Sequence, residues 1–490
     1  MRVDPQQFYA AAAVRELDRR AIAGGIAGAE LMRRAAAAAW RELLRRWPRA
    51  QRLAVLCGPG NNGGDGYALA RLAQAAGLAV QVWRVGEPAR RGDAVAARTA
   101  WLAASGAESV YGGGALAGDV LVDALFGIGL SRAPEGTAQA AILAIDAARE
   151  RGAGVLALDV PSGLDADRGS APGNAVHADL TATFIGAKAG LYTGAGPAHA
   201  GQVVLDDLDV PGAVFAGVPA AAAVLDAAVL RAHLPRRART SHKGQMGHVL
   251  LVGGDEGTAG AILLAARAAL RGGAGLVSVA TRAAHVAALT AAQPEIMCES
   301  LEEPRRLRAL LERATVVGVG PGLGRSDWSR AVWSQVLSVP QPLVIDADGL
   351  NWLAENPARR DDWVLTPHPG EAARLLGVSN AEIQRDRPGA ARRLRDRYGG
   401  VCVLKGAGTL VQGETLALCP HGNPGMASGG MGDVLCGLVA GLLAQGLGPE
   451  VAARTGVVAH ALAGDRAAAA GERGLIPSDL LAELRPLLNP

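Results

Sequence analysis

Arg52-Leu53-Ala54-Val55-Leu56-Cys57 is an apolar run of strand length, and it leads directly into Gly58-Pro59-Gly60-Asn61-Asn62-Gly63-Gly64-Asp65-Gly66. A short aliphatic run stopped by a glycine-rich turn fits a strand buried on both faces. A helical pattern over 67–76 follows. Strand-like runs then recur at 79–85, 119–125, 154–160, 181–185 and 202–208, with helices between several of them. This alternation predicts a doubly wound, mostly parallel α/β sheet with ligands at the carboxyl ends of its strands. Upstream, 14–47 reads as two helices broken at Gly24-Gly25.

From 212 to 230 the chain is alanine-rich and of low complexity, with Pro211 and Pro219 in or beside it. This is the best domain boundary, an alanine-rich helix within a domain being the alternative. The alternation then restarts. A strand is expected at 248–252 and a helix at 258–270, stopped by Gly272-Gly273. Further strands are expected at 275–280, 315–319, 342–346, 363–366 and 401–404, and final helices at 434–443 and 451–470.

The length of 490 residues exceeds what one hydrophobic core supports, and two α/β domains accommodate it. With 50% apolar and 19% charged residues the chain is globular, not disordered. A net charge of +3 argues against a nucleic-acid surface. The run Arg236, Arg237, Arg239 is short and reads as a solvated face. The five scattered cysteines form no CxxC pair and read as free thiols of a reducing compartment. The histidines show no zinc spacing. No signal peptide is expected, because the first residues carry Asp4, Arg15, Glu16, Asp18 and Arg19 and no apolar core. The longest apolar run, 212–225, has 14 residues and is too short to span a bilayer. A cytoplasmic protein with small-molecule substrates is expected, with no nucleic acid and no membrane partner. A homo-oligomer is also expected, of an order the sequence does not give.

Glycines between a strand and a helix let a phosphate approach the backbone, and the helix start supplies N–H donors. The first-half turn is neither GxGxxG nor a Walker A loop. Two further strand ends carry an aspartate: Asp123-Ala124-Leu125-Phe126-Gly127-Ile128-Gly129-Leu130 and Asp159-Val160-Pro161-Ser162-Gly163-Leu164-Asp165. Each alone is open to reading as a turn or cap; three such ends in one sheet favour a common pocket. Together the motifs resemble the NAD(P)H-hydrate epimerase family over about residues 1–215. The resemblance implies a Rossmann-like epimerase domain. In it Asn61, Asn62, Gly63, Gly64 and Asp65 hold the hydrated dinucleotide with the loop Gly127, Ile128, Gly129, Leu130, Ser131, Arg132, Ala133. It implies that Asn62, Asp123 and Ser162 give oxygens to a potassium ion and that Asp159 touches substrate. Asp159 is the candidate proton shuttle for the epimerisation.

In the second half the strongest signal is Gly422-Asn423-Pro424-Gly425-Met426-Ala427-Ser428-Gly429-Gly430-Met431-Gly432-Asp433-Val434-Leu435. Glycines crowded before a helix can form an anion hole for a transferring phosphoryl group, and Asp433 is placed to take a proton from a hydroxyl. The bland alternative is a helix-dipole charge. The pattern resembles the ribokinase-like fold, and its longer form the NAD(P)H-hydrate dehydratases, over about 222–490. His242-Lys243-Gly244, Gly320-Pro321-Gly322, Thr366-Pro367-His368-Pro369-Gly370-Glu371 and Leu404-Lys405-Gly406-Ala407-Gly408-Thr409 agree with that branch. Ser428 and Met431 depart from residues common there without removing a catalytic group. The resemblance implies that Ala261, Gly322, His368 and Asp433 contact the hydrate. Lys405, Gly406, Ala407, Gly408, Thr409 and Gly432 would contact the nucleotide. ADP or ATP is the expected phosphoryl donor, with Mg2+. Asp346 and Asp348 are candidates to hold the magnesium, an Asx turn being the alternative. The function expected is repair of hydrated NADH and NADPH. The runner-up is a vitamin-precursor kinase with a nucleotide-binding module in front. A third reading makes the first half a non-catalytic binding module.

Overall fold

The computed structural model describes every residue except Met1, Asp4–Gln6, Ser131 and Glu303, and leaves the side chains of Arg2, Val3 and Pro304 undescribed. The chain divides into two compact units, Met1–Ala223 and Val224–Pro490.

In the first unit a parallel sheet runs in the order Gln202–Asp206, Leu180–Phe184, Gly154–Leu158, Val120–Ala124, Arg52–Cys57, Ala79–Arg84, Glu108–Val110. Arg2–Val3 adds an antiparallel edge. The chain enters at Arg52–Cys57, moves outward to Glu108–Val110, then returns to the other side at Val120–Ala124. The strand order therefore reverses between Arg52–Cys57 and Val120–Ala124, where an open α/β sheet leaves a crevice. Side chains alternate across the sheet. Leu53, Val55 and Cys57 enter one core, and Ala54 and Leu56 the other. Burial on both faces explains the uninterrupted apolar run.

The second unit repeats the plan. Its order is Met297–Ser300, Leu276–Thr281, His248–Val252, Val316–Val319, Leu343–Ile345, Trp363–Leu365, Val401–Leu404, all parallel. The antiparallel strands Thr409–Gln412 and Leu416–Cys419 follow. The reversal lies between His248–Val252 and Val316–Val319. Helices Ala259–Gly272 and Met431–Ala444 pack backbone to backbone: a Cβ on Gly437 would lie 1.9 Å from the Ala265 carbonyl oxygen, and one on Gly441 would lie 2.6 Å from that of Ala269. Small residues there fix where the Met431–Ala444 helix begins.

Three features depart from the sequence reading. The first glycine-rich helix spans Asn61–Ala75, so the motif forms its opening turns instead of preceding it. A Cβ on Gly63 would sit 2.0 Å from the Gly58 carbonyl oxygen, and one on Gly66 2.6 Å from Ala124 Cβ. Close packing against the strands thus outweighs the poor helix propensity of glycine. The alanine-rich stretch is not one helix. It holds a short 3-10 turn Gly212–Phe215, a strand Ala222–Val224 and a helix Ala227–His233. The short edge strands Glu108–Val110 and Met297–Ser300 carry too little apolar alternation to be foreseen. Among the described residues no helix is long and apolar enough to cross a membrane.

Candidate active sites

At the reversal point of the first unit lies a cavity of about 460 Å³. Asn61, Asn62, Asp65, Gly127, Ile128, Gly129 and Asp159 line it. Gly63 and Gly64 instead face packing contacts with Gly58 and with Met32 and Ala94. Leu130, Arg132 and Ala133 lie outside the lining. Ser131 lies outside the described residues.

Asp159 has a left-handed backbone, φ +65°. Its Oδ1 accepts from Lys188 Nζ at 2.6 Å, and its Oδ2 accepts from the Ile128 N–H at 3.3 Å. Lys188 is fully buried and also donates to Thr183 Oγ1 and the Phe184 carbonyl, both at 2.9 Å. Neither this lysine nor Asp18 is marked as a site residue by the sequence. Burial, with Asp159 nearby, pushes the Asp18 carboxyl up to about 6. Burial, together with Asp159 and Asp18, also holds Asp65 well above the usual carboxylate range. Of the four aspartates lining the cavity, three, Asp18, Asp65 and Asp159, lie within the field of one buried ammonium. Only Asp159 has its carboxylate paired with that ammonium, and the backbone of Ile128 fixes its other oxygen.

Behind this wall, Asp123 is fully buried. Ser162 donates to it twice, from Oγ at 2.6 Å and from N at 2.8 Å. Burial pushes its pKa up to about 6 despite those bonds. The Phe126 N–H donates to Ser162 Oγ at 2.9 Å. Both amide atoms of Asn62 are buried without a hydrogen-bond partner. A buried polar group left unpaired costs on the order of 1–3 kcal/mol, so this amide is suited to meet a polar ligand, its oxygen as an acceptor or cation ligand and its nitrogen as a donor.

In the second unit the strand ends converge on Lys405, whose Nζ lies 2.6 Å from Asp346 Oδ1 and 3.9 Å from Glu371 Oε2. Burial works against the Lys405 charge, but Asp346 and Glu371 outweigh it and hold the ammonium above the ordinary lysine value. Gly432 completes the wall: a Cβ there would be 3.0 Å from Lys405 Nζ and 3.2 Å from Asp346 Oδ2. Asp433 follows in the first turn of its helix. Burial, then Asp346, Asp348 and Glu371, pushes its pKa up to about 7.

His368 and Glu371 cap the helix Pro369–Leu376. The His368 N–H donates to Glu371 Oε2 at 2.7 Å, and the Gly370 N–H donates to His368 Nδ1 at 2.9 Å. Burial, with Lys405 and Arg374 nearby, lowers the His368 pKa, which favours neutral imidazole. Burial raises Glu371 to about 7. Glu371 belongs to the Thr366–Glu371 motif, but its approach to Lys405 arises only in the fold. Gly406, Ala407 and Gly408 form the tight turn of the hairpin between Val401–Leu404 and Thr409–Gln412, with φ +132° at Gly406 and +62° at Gly408. Thr409 Oγ1 donates to the Gly406 carbonyl at 3.0 Å. Ala261 and Gly322 meet through Thr258, which accepts from the Ala261 N–H at 3.2 Å and donates from Oγ1 to the Gly322 carbonyl at 2.7 Å. Asp346 caps Ala347–Glu355 through its Oδ1, which Lys405 also uses. Asp348 accepts from the Gly324 N–H at 2.8 Å and from Asn351 at 3.1 Å.

The comparisons with known proteins agree over both units. A family model described as YjeF-related protein N-terminus matches residues 28–190, and one described as NAD(P)H-hydrate dehydratase matches 249–486. The bifunctional NAD(P)H-hydrate repair enzyme of Coxiella burnetii is 49% identical, over 97% of this chain and 98% of its own. That of Escherichia coli is 46% identical, over 94% of this chain and 90% of its own. Among solved structures, the Bacillus subtilis ADP/ATP-dependent NAD(P)H-hydrate dehydratase co-crystallised with ATP/Mg2+ superposes with a TM-score of 0.50 at 28% identity, covering 54% of this chain and 97% of its own. A ribokinase-like superfamily protein from Enterococcus faecalis gives 0.52 at 29% identity, over 54% and 95%.

Proposed function

Because the chain belongs to the bifunctional NAD(P)H-hydrate repair enzymes, we propose that its two reversal-point sites divide the work of restoring hydrated NADH and NADPH. The first unit interconverts the two hands of the hydrate, and the second dehydrates one of them at the expense of a nucleotide. The observation that carries this reading is the second cluster, where Asp433, Gly432, Lys405 and Asp346 sit together at a helix start.

Hydroxide is a poor leaving group, and phosphorylation of the ring hydroxyl makes it a good one. Asp433 takes the hydroxyl proton, and the oxygen attacks the terminal phosphoryl group of ADP, releasing AMP. Elimination then breaks the C–O bond at carbon 6, releases phosphate and a ring proton, and restores the 1,4-dihydronicotinamide. N–H groups of the helix's first turn lack partners within the helix and face the developing phosphoryl charge. Lys405, Gly406, Ala407, Gly408, Thr409 and Gly432 bind the nucleotide. Ala261, Gly322 and neutral His368 bind the hydrate. A base pKa near 7 suits proton transfer at neutral pH. Magnesium would arrive with the nucleotide. Asp346 and Asp348 already have oxygens in use, so phosphate oxygens and water would supply most of its ligands.

In the first unit the hydrate occupies the 460 Å³ cavity, held by the Asn61–Asp65 turn and the Gly127–Ala133 loop. Asp159, clamped by Lys188, moves the proton that accompanies reversible bond breaking at carbon 6. Asn62, Asp123 and Ser162 would hold a potassium ion, whose demand for hard oxygens matches the orphaned Asn62 amide. The activities are thereby assigned to 1–215 and 222–490. Five free cysteines fit a cytoplasmic setting, and a homo-oligomer belongs to the same reading.

The test is incubation with mixed-hand NADPH hydrate plus ADP, then ATP, following the return of reduced-nicotinamide absorbance. Full recovery is expected with an accepted donor. No recovery with either donor would refute the dehydratase assignment.

A further inference from the structure

The arginine run that the sequence leaves as a solvated face lies, within the second unit, on a cavity of about 1040 Å³. Arg236, Arg237, Arg239, Arg271 and Arg485 all line it, and no aspartate or glutamate does. Met246 and Gly273, also in its wall, lie two and three residues before the strands His248–Val252 and Leu276–Thr281. The cavity therefore opens at the amino ends of the sheet, the edge opposite Lys405 and Asp433.

The ordinary use for such arginines is to neutralise helix carboxyl ends, and four helices end here: Ala227–His233, Ala259–Gly272, Met431–Ala444 and Pro477–Leu487. Carbonyls at three of these ends already have side-chain partners. Gln445 Nε2 donates to the Gly272 carbonyl at 2.7 Å and to that of Gly441 at 2.8 Å. Arg237 donates to the Gly273 carbonyl at 2.7 Å and to Gln445 Oε1 at 2.6 Å. Asn489 Nδ2 donates to the Arg485 carbonyl at 2.7 Å. Among the described residues the guanidiniums of Arg236, Arg239, Arg271 and Arg485 make no hydrogen bond and no ion pair. Four helix ends at about −0.5 each offset roughly two of the five positive charges. About two to three charges remain, focused in one concavity whose wall also includes Leu270 and Leu447.

We propose that this cavity binds a small polyanion carrying at least two linked phosphates, at a site separate from both reaction centres. Planar guanidinium forks suit phosphate oxygens, and the volume suits a nucleotide-sized ligand.

The experiment uses the full chain with inorganic tripolyphosphate and, in a parallel arm, ATP. Hydrogen–deuterium exchange and calorimetric titration are run on the native protein and on R236E/R239E, with R236Q/R239Q as the milder variant. Protection of amides across 233–247 is expected, with affinity falling at least tenfold in both variants while dehydratase turnover without added tripolyphosphate stays unchanged. Tighter binding of ATP than of tripolyphosphate at this footprint would show that the nucleoside is read as well, and equal binding that the phosphate chain suffices. Protection confined to 404–433, unchanged affinity in both variants, or a variant effect seen only as altered sedimentation would overturn the proposal. The last result would mark a surface between copies of this chain.

Discussion

The two reaction centres occupy the same place in two similar sheets, yet their electrostatics differ. Each sets a lysine against one aspartate at 2.6 Å: the fully buried Lys188 with Asp159, and the half-buried Lys405 with Asp346. In the first unit the clamped aspartate is itself the proposed proton carrier, and Ile128 fixes its other oxygen. In the second, the clamped aspartate is a bystander. The proposed base, Asp433, stands beside the pair and is pushed up by burial and the surplus of carboxyls. Topology locates a site, and in both, burial with neighbouring carboxylates raises the acids beside the clamped pair: Asp18 and Asp65 in the first, Asp433 and Glu371 in the second.

Removing each base tests that contrast most severely. Asp433→Asn is expected to lower dehydratase turnover by about 10³-fold, with epimerisation untouched. Asp159→Asn is expected to lower epimerisation by about 10²-fold, with dehydration of the correct hand untouched; full epimerase activity in that variant would exclude the shuttle. Lys188→Met leaves Asp159 unpaired and is expected to destabilise the first unit by about 3 kcal/mol, read from denaturant midpoints. Dehydratase kcat/KM is expected to rise tenfold per pH unit below about 7 and level off above it, because the base acts deprotonated.

The smallest effect is on stability. The folded pKa of Asp433 lies above its unfolded value, so folding favours the protonated form, and that contribution is lost as pH rises through about 7. Asp433→Asn should therefore raise Tm by about 2–4 °C at pH 8, with the gain shrinking as pH falls toward 4. An equal gain at both ends would mean that the carboxylate carries no such penalty.

Much of this was legible in the sequence because buried parallel strands leave apolar runs ending in glycine or aspartate. Leu53–Cys57 and Val401–Leu404 read directly, and their ends carry Asn62, Lys405 and the residues beside them. What escaped was whatever depends on approach through space. Lys188 looks like an isolated lysine after a strand, and only the fold turns it onto Asp159. Asp18 sits in an N-terminal helix whose pattern gives no sign that it faces a cavity. The helix start at Asn61 was hidden because propensity disfavours glycine, and only the closeness of Gly58 and Ala124 explains it.

The glycine-to-carbonyl contacts joining Ala259–Gly272 to Met431–Ala444 have a mechanical consequence. One of these rods begins near Ala261 and the other at Asp433, and neither can slip along its partner without driving atoms through each other. The spacing between Ala261 and Asp433, the proposed hydrate and phosphoryl ends, is thus set like the jaws of a fixed gauge. Any adjustment to an entering ligand is therefore left to the loops around the rods, not to the rods themselves.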